Sequence, residues 1–284
     1  MIPLIMKERR RFHKLLLENV LTFDSRGIPS NADGSQKSSI QFATSIANQL
    51  LAGKGERTSG QSSGNVFERI VADFLISTFL RLEHLRPGNW KVYQVGSRSK
   101  NKIAEFSQYT HLNTLSQLSK VNPSLAASLG NDYSISPDVV ITRNPEPDEE
   151  INKREILVDS TVSTMADIRL VNCQNSFLHA SISTKWTLRS DRAQNARAEA
   201  LNLLRNRKGR APHIVLVTGE PTPSRLASIA LGTGDIDCVY HFALPELMNA
   251  VIQSENDEAI QMLDIMVAGK RLKDISDLPL DLAI

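Results

Sequence analysis

Ser136-Pro137-Asp138-Val139-Val140-Ile141 is the stretch on which the reading of this chain turns. Asp138 to Thr142 reads as a strand, and Pro137 suits the first position of one, where no ladder donor is needed. After a loop and another strand candidate comes Ser181-Ile182-Ser183-Thr184-Lys185-Trp186, inside a strand candidate from His179 to Leu188. An acid opening one strand and a lysine in the next but one can meet at one end of a sheet. That pairing is the skeleton of metal-dependent phosphodiester cleavage. Carboxylates hold Mg2+ beside the scissile phosphate, and a lysine ammonium steadies the attacking water or the developing charge.

In the common form of this signature an acid stands two residues before the lysine, and here that position is Ser183. A second metal carboxylate must come from elsewhere. The following helix, Asp191 to Arg207, supplies Glu199. At about 100° per residue its core stripe is Ala193, Ala196, Ala200, Leu203 and Leu204, with Arg192 and Glu199 along one flank. Glu199 can therefore look inward toward the strand end that holds Lys185. The bland alternatives are a strand-end cap for Asp138, a snorkelling surface lysine for Lys185 and a helix ion pair for Glu199. Asp159, closing a strand candidate Glu155 to Val158, is a rival metal ligand or a sheet-end cap.

Arg189-Ser190-Asp191-Arg192 stands immediately before that helix. Two arginines flanking an aspartate can project into a major groove, where Arg pairs with guanine O6 and N7 and Asp accepts from cytosine N4. That chemistry specifies G·C pairs. Ser190 or Asp191 could equally be an ordinary N-cap.

Working outward, Met6 to Leu21 reads as a basic amphipathic helix, Asp24 to Lys37 as a loop and Ser38 to Leu51 as a second helix. The polar stretch Gly53 to Gly64 ends at Asn65, a plausible N-cap for a helix Val66 to Leu82 that carries Glu68 at the edge of its apolar stripe. Trp90 to Val95 alternates like a strand, and Ile103 to Leu129 reads as helical with a break at Pro123. Ile214 to Thr218 and Cys238 to Phe242 are further strands. Helices fit at Ser224 to Ala230, Leu244 to Gln253 and Asp257 to Met266, before a Pro-containing tail. Strands alternating with helices imply an α/β fold with a mixed β-sheet core flanked by helices. No internal repeat argues for a solenoid or propeller.

Composition narrows the class. With 284 residues, 41% of them hydrophobic and 23% charged, the chain is long enough for one large domain or two small ones and has the balance of a globular protein. No apolar run approaches the ~18 residues that cross a bilayer, and Met1 to Lys14 is too charged for a signal peptide, so a cytoplasmic protein without a membrane partner is expected. Cys173 and Cys238 have no metal-ligand or framework spacing and read as reduced thiols. The net charge of +2 does not announce a nucleic-acid binder. Basic residues nonetheless cluster at Lys7 to Arg11, Arg98 to Lys102, Arg189 to Arg192 and Arg205 to Arg210. Gly232-Thr233-Gly234 reads as a turn, and the histidines show no metal or triad pattern.

Pro137-Asp138, Ser183-x-Lys185-Trp186-Thr187-x-Arg189-Ser190-Asp191-Arg192 and Glu199 together resemble the type II restriction endonucleases with a permuted active site that cut around CCGG. The likeness runs through nearly the whole chain. It includes Asn31-Ala32-Asp33-Gly34-Ser35, Gln61-x-Ser63-Gly64-Asn65, Gln94-Val95-Gly96-Ser97-Arg98, Pro221-Thr222-Pro223-Ser224-Arg225 and Lys270 to Ser276, and is weakest from about Asn144 to Gln174. The resemblance implies one restriction-endonuclease-like PD-(D/E)xK nuclease domain over residues 1–284, acting in a restriction-modification system. Asp138 and Glu199 would be Mg2+ ligands, Ser183 and Lys185 would complete the site, and Glu68 would be an auxiliary acid near the phosphate. Arg189, Asp191 and Arg192 would read the inner CCGG. Asp33 and Arg225 would contact the outer G·C pair from the major groove and Gln61 from the minor groove, giving GCCGGC. Members of this group form homotetramers that bind two copies of double-stranded DNA. Two other readings are a sequence-specific DNA-binding protein without cleavage and a structure-selective repair nuclease. The intact Asp138, Lys185 and Glu199 argue against the first, and the second would not need Arg189 to Arg192.

Overall fold

The computed structural model describes residues 2–50, 60–96, 102–124, 127, 136–232 and 234–284, with the backbone alone at 60–63. Its centre is a six-stranded mixed sheet in the order β1 (Trp90–Gln94), β2 (Val139–Arg143), β3 (Phe177–Lys185), β4 (His213–Thr218), β5 (Cys238–His241) and β6 (Leu272–Asp274). The first three strands pair antiparallel and the last four parallel. In β4 and β5 nearly every residue is buried. That explains their unbroken apolar runs, because a parallel strand is covered on both faces.

Helices supply the covering. α1 (Leu4–Asn19) packs on α3 (Gly60–Thr78), with Phe12 and Phe74 ring centroids 5.4 Å apart, and α3 crosses β1, β2 and β3. α2 (Lys37–Gln49) lies against α8 (Leu244–Ile252). Between them in sequence come α4 (His111–Val121), the one-turn α5 (Asp148–Ile151), α6 (Ser190–Asn206) and α7 (Pro223–Ala230). α9 (Asp257–Ala268) rests on α7 and α8, and the chain closes with α10 (Leu278–Asp281). α6 joins β3 to β4 and buries Ala196, Ala200 and Leu203, as its spacing predicts. The buried apolar residues of all these layers form one continuous core. Among the described residues no helix is long and apolar enough to cross a membrane.

Three expectations fail. Glu155 to Val158 is not a strand. Residues 144–174 leave the sheet, and turns, one isolated bridge and side-chain partners take the place of a ladder. Asn152 Oδ1 accepts the Leu157 and Val158 N–H groups, while Arg169 reaches Asp148 and the carbonyls of Asp159 and Val162. Ile156, the apolar residue that suggested a strand, is 87% exposed. Asn65 does not start α3, whose hydrogen-bonded ladder runs back to Gly60, since extending a formed helix costs far less than nucleating one. The helical stretch expected from Ile103 breaks before Pro123 as read, with Asn122 the C-cap of α4, but it is not α-helical from Ile103. Two 3-10 turns bury Ile103, Phe106 and Tyr109, and Tyr109 Oη donates to the Leu203 carbonyl at 3.0 Å before α4 begins. Residues 125, 126, 128 and 129 of that stretch, and 98–101 of one basic cluster, lie outside the described residues. The strand β6 has no counterpart among the sequence expectations. Both cysteines are free thiols.

Candidate active site

Antiparallel pairing of β2 with β3 sets Val139 opposite Ile182, so Asp138, just before β2, arrives at the same sheet end as Lys185. Parallel pairing then puts Lys185 beside Thr218 at the C-terminal end of β4. Because residues 155–158 form no strand, Asp138 and Lys185 sit on directly adjacent strands, not on strands one apart. Lys185 Nζ donates to Asp138 Oδ2 at 2.9 Å, and the Thr184 N–H donates to the same oxygen at 2.7 Å. Asp138 Oδ1 accepts no hydrogen bond among the described residues.

Two further carboxylates act on this pair. Burial works against the charge of Lys185, but Asp138, Glu199 and Glu68 outweigh it and hold the ammonium above its usual 10.5. Burial pushes the Glu199 carboxyl up, and Asp138 adds to that push against the pull of Lys185. Glu68 is raised by burial and by Asp138, opposed by Gln94 Nε2, which donates to its Oε2 at 2.7 Å, and by Lys185. Three acids thus share one ammonium. Ser183 lines a narrow crevice with Pro137, Glu199 and Ala196, and its buried Oγ has no hydrogen-bond partner among the described residues.

Among the described residues no three His, Cys, Asp or Glu side chains form a ready-made metal cage. Mg2+ does not need one, since it is commonly held by one or two carboxylates with water and phosphate oxygens completing the shell. An Asp138 oxygen and a Ser183 hydroxyl without partners among the described residues, a half-buried Glu199 and an excess of negative charge fit such an ion. Asp159 does not belong here. It is exposed, and its Oδ1 accepts the Thr161 and Val162 N–H groups of its own turn.

The Arg189 to Arg192 segment is exposed at the start of α6. Arg189 is the N-cap by backbone, with no side-chain cap bond, so neither Ser190 nor Asp191 acts as the alternative reading requires. Arg192 Nη1 donates to Thr187 Oγ1 at 2.8 Å. Asp33 and Arg225 come together from opposite parts of the chain as an ion pair. Ser35 hydroxyl and N–H donors, then Arg225, hold the Asp33 carboxyl far below the usual carboxylate range. Gln61 lies on the first turn of α3, and its side chain is outside the described residues. A broad cleft between residues 83–89 and 143–169 contains none of these groups.

Sequence reasoning assigned no role to Thr184, Gln94 or Glu220. Thr184 could have been noticed as the residue between Ser183 and Lys185. Nothing local marks Gln94, or Glu220, as the partner of a distant residue.

An acid and a lysine thus stand on adjacent strand ends of a mixed α/β sheet, and by its kinship the chain is a type II restriction enzyme, a site-specific deoxyribonuclease. It belongs to the NgoMIV restriction-enzyme family, whose model matches residues 12–284. It is 58% identical over 287 residues, spanning 100% of both chains, to the Type II restriction enzyme NgoMIV of Neisseria gonorrhoeae. Among solved structures it is similar to the Type IIF restriction endonuclease Bse634I with cognate DNA, at a TM-score of 0.37 and 14% identity over 96% of this chain and 92% of that one. A second Bse634I restriction endonuclease structure gives 0.36 and 13% over 92% and 91%.

Proposed function

We propose that this enzyme makes Mg2+-dependent double-strand cuts in duplex DNA at the palindrome GCCGGC, working in the cytoplasm as a homotetramer that binds two DNA copies. The observation that carries the catalytic part is the Lys185 ammonium held against Asp138 while Glu199 and Glu68 act on the same charge. Full-length kinship to the relative named NgoMIV, together with the Arg189 to Arg192 motif, supports the target sequence.

Asp138 and Glu199 would hold Mg2+, with Ser183 beside them. When bound, the ion supplies Lewis acidity at the phosphate and makes water a better nucleophile. Lys185 stays protonated through neutral pH and offers positive charge where the pentacovalent phosphate becomes more negative. Glu68, pushed toward its neutral form and oriented by Gln94, is suited to hold or pass a proton near that phosphate. Arg189 and Arg192 would each pair with guanine O6 and N7, and Asp191 would accept from cytosine N4. Arg225 and Asp33 would do the same at the outer pair, with Gln61 in the minor groove.

Digestion of a fully sequenced plasmid, with Mg2+ and with a chelator, tests this reading. Ends mapping only to GCCGGC, and no cutting in the chelator, are expected. Cutting unrelated to GCCGGC, or undiminished in the chelator, would overturn it.

A further inference from the structure

Glu220 takes no part in the chemistry above, yet it is a fully buried carboxylate, 0% exposed, in the turn that follows β4. Its two oxygens serve two different segments. Oε2 accepts the Leu188 N–H at 2.8 Å, and Leu188 is the residue before Arg189. Oε1 accepts the Thr222 N–H at 3.2 Å, and Thr222 is the N-cap of α7, the helix that carries Arg225. Arg225 Nη1 lies 3.8 Å from Glu220 Oε2, while its other terminal nitrogen pairs with Asp33.

The backbone around Glu220 is fixed just as firmly. The Glu220 N–H donates to Thr218 Oγ1 at 3.1 Å. Its carbonyl receives His241 Nε2 at 3.2 Å, and burial keeps that imidazole neutral, lowered to about 4. The Gly219 carbonyl accepts from buried Asn31 Nδ2 at 2.8 Å, two residues ahead of Asp33. A Cβ on Gly219 would lie 2.5 Å from the Trp186 ring, next to Lys185, so the turn presses on the catalytic strand end with no room for a side chain. Burial pushes the Glu220 carboxyl up, and the Leu188 and Thr222 donors with Arg225 pull it back down.

We propose that Glu220 is a positioning residue that couples the inner base-reading segment, Arg189 to Arg192, to the outer one, Arg225 with Asp33. This rests on the assignment of those residues to base recognition. A carboxylate with one oxygen on each segment cannot follow one without moving the other. A mismatch at the outer pair therefore displaces the inner readers, and the enzyme rejects a site as a unit instead of summing independent contacts.

The test compares single-turnover cleavage of a GCCGGC duplex with duplexes altered at the outer or at an inner pair, for the wild type and Glu220→Ala. The variant is expected to lose roughly tenfold or more of its discrimination at both positions, the size of one good base contact. A folded Glu220→Ala protein whose two ratios stay within about twofold of wild type, with only its Tm lowered, would overturn the proposal and leave Glu220 a structural group. Wild-type enzyme that cuts all three duplexes alike would instead remove the underlying recognition reading. Should Glu220→Ala not fold, the cycle of Arg189→Ala, Arg225→Ala and the double variant decides. Losses that combine to well below their product are expected, and a product within about twofold of multiplicative overturns the coupling.

Discussion

Lys185 Nζ stands 2.9 Å from Asp138 Oδ2, although the two are 47 positions apart in the chain. Their meeting follows from the antiparallel pairing of β2 with β3, which brings the start of one strand to the end of the other, while the parallel pairing of β3 with β4 sets Thr218 beside them. Strand ends are stiff platforms, so the pair is held by the sheet and not by a loop.

Removing either member should separate cutting from binding. Asp138→Ala, Glu199→Ala and Lys185→Ala are each expected to lower the single-turnover rate by about 10²–10³-fold or more, in line with loss of one charge-stabilising group. Specific duplex affinity should change far less, because Arg189, Asp191 and Arg192 are untouched. Rates under Mg2+ near wild type in the Asp138 or Glu199 variant would remove the metal assignment.

Glu199 should cost the metal-free enzyme stability at neutral pH. Burial and Asp138 raise its pKa, so the folded state favours the protonated acid. Relative stability is then full below the unfolded pKa near 4.5 and is lost as pH rises through the higher folded value. Glu199→Gln should accordingly raise the Tm in a chelator at pH 7–8 and lose that gain at about pH 4. Added Mg2+ should raise the Tm of the wild type and not of the variant. Calorimetry with and without the ion checks both signs.

Asp191 should matter for recognition and little for helix stability. Arg189 caps α6 by backbone alone, so Asp191→Ala removes only a first-turn charge, worth about 0.3–1 kcal/mol, and not a cap bond. Cognate affinity should nevertheless fall roughly ten- to a hundredfold, with random duplex much less affected. Parallel losses on both duplexes, read by titration at fixed salt, would make the segment electrostatic and not sequence-reading.

Assembly should mirror the target. A palindrome calls for two-fold protein symmetry and hence at least a dimer, and the proposed tetramer adds a second DNA copy. Light scattering is expected to give four chains, and plasmids with two sites should be cut faster than those with one. A monomer with and without cognate duplex would refute both.

Local chemistry made much of this molecule legible in advance. The Pro137-Asp138 strand start, Lys185 at a strand end, and Glu199 on the flank of an alanine-rich stripe follow from strand alternation and helical period, which depend on near neighbours in the chain. Tertiary structure decided the rest. Glu155 to Val158 stays out of the sheet with Asn152 satisfying the Leu157 and Val158 backbone, while Arg169 holds the turn that follows. The Gln94–Glu68 contact, the Asp33–Arg225 pair and the double duty of Glu220 join residues on different elements. No periodicity encodes such partners. They exist only once the order of strands and the burial of each face have been settled by the chain as a whole.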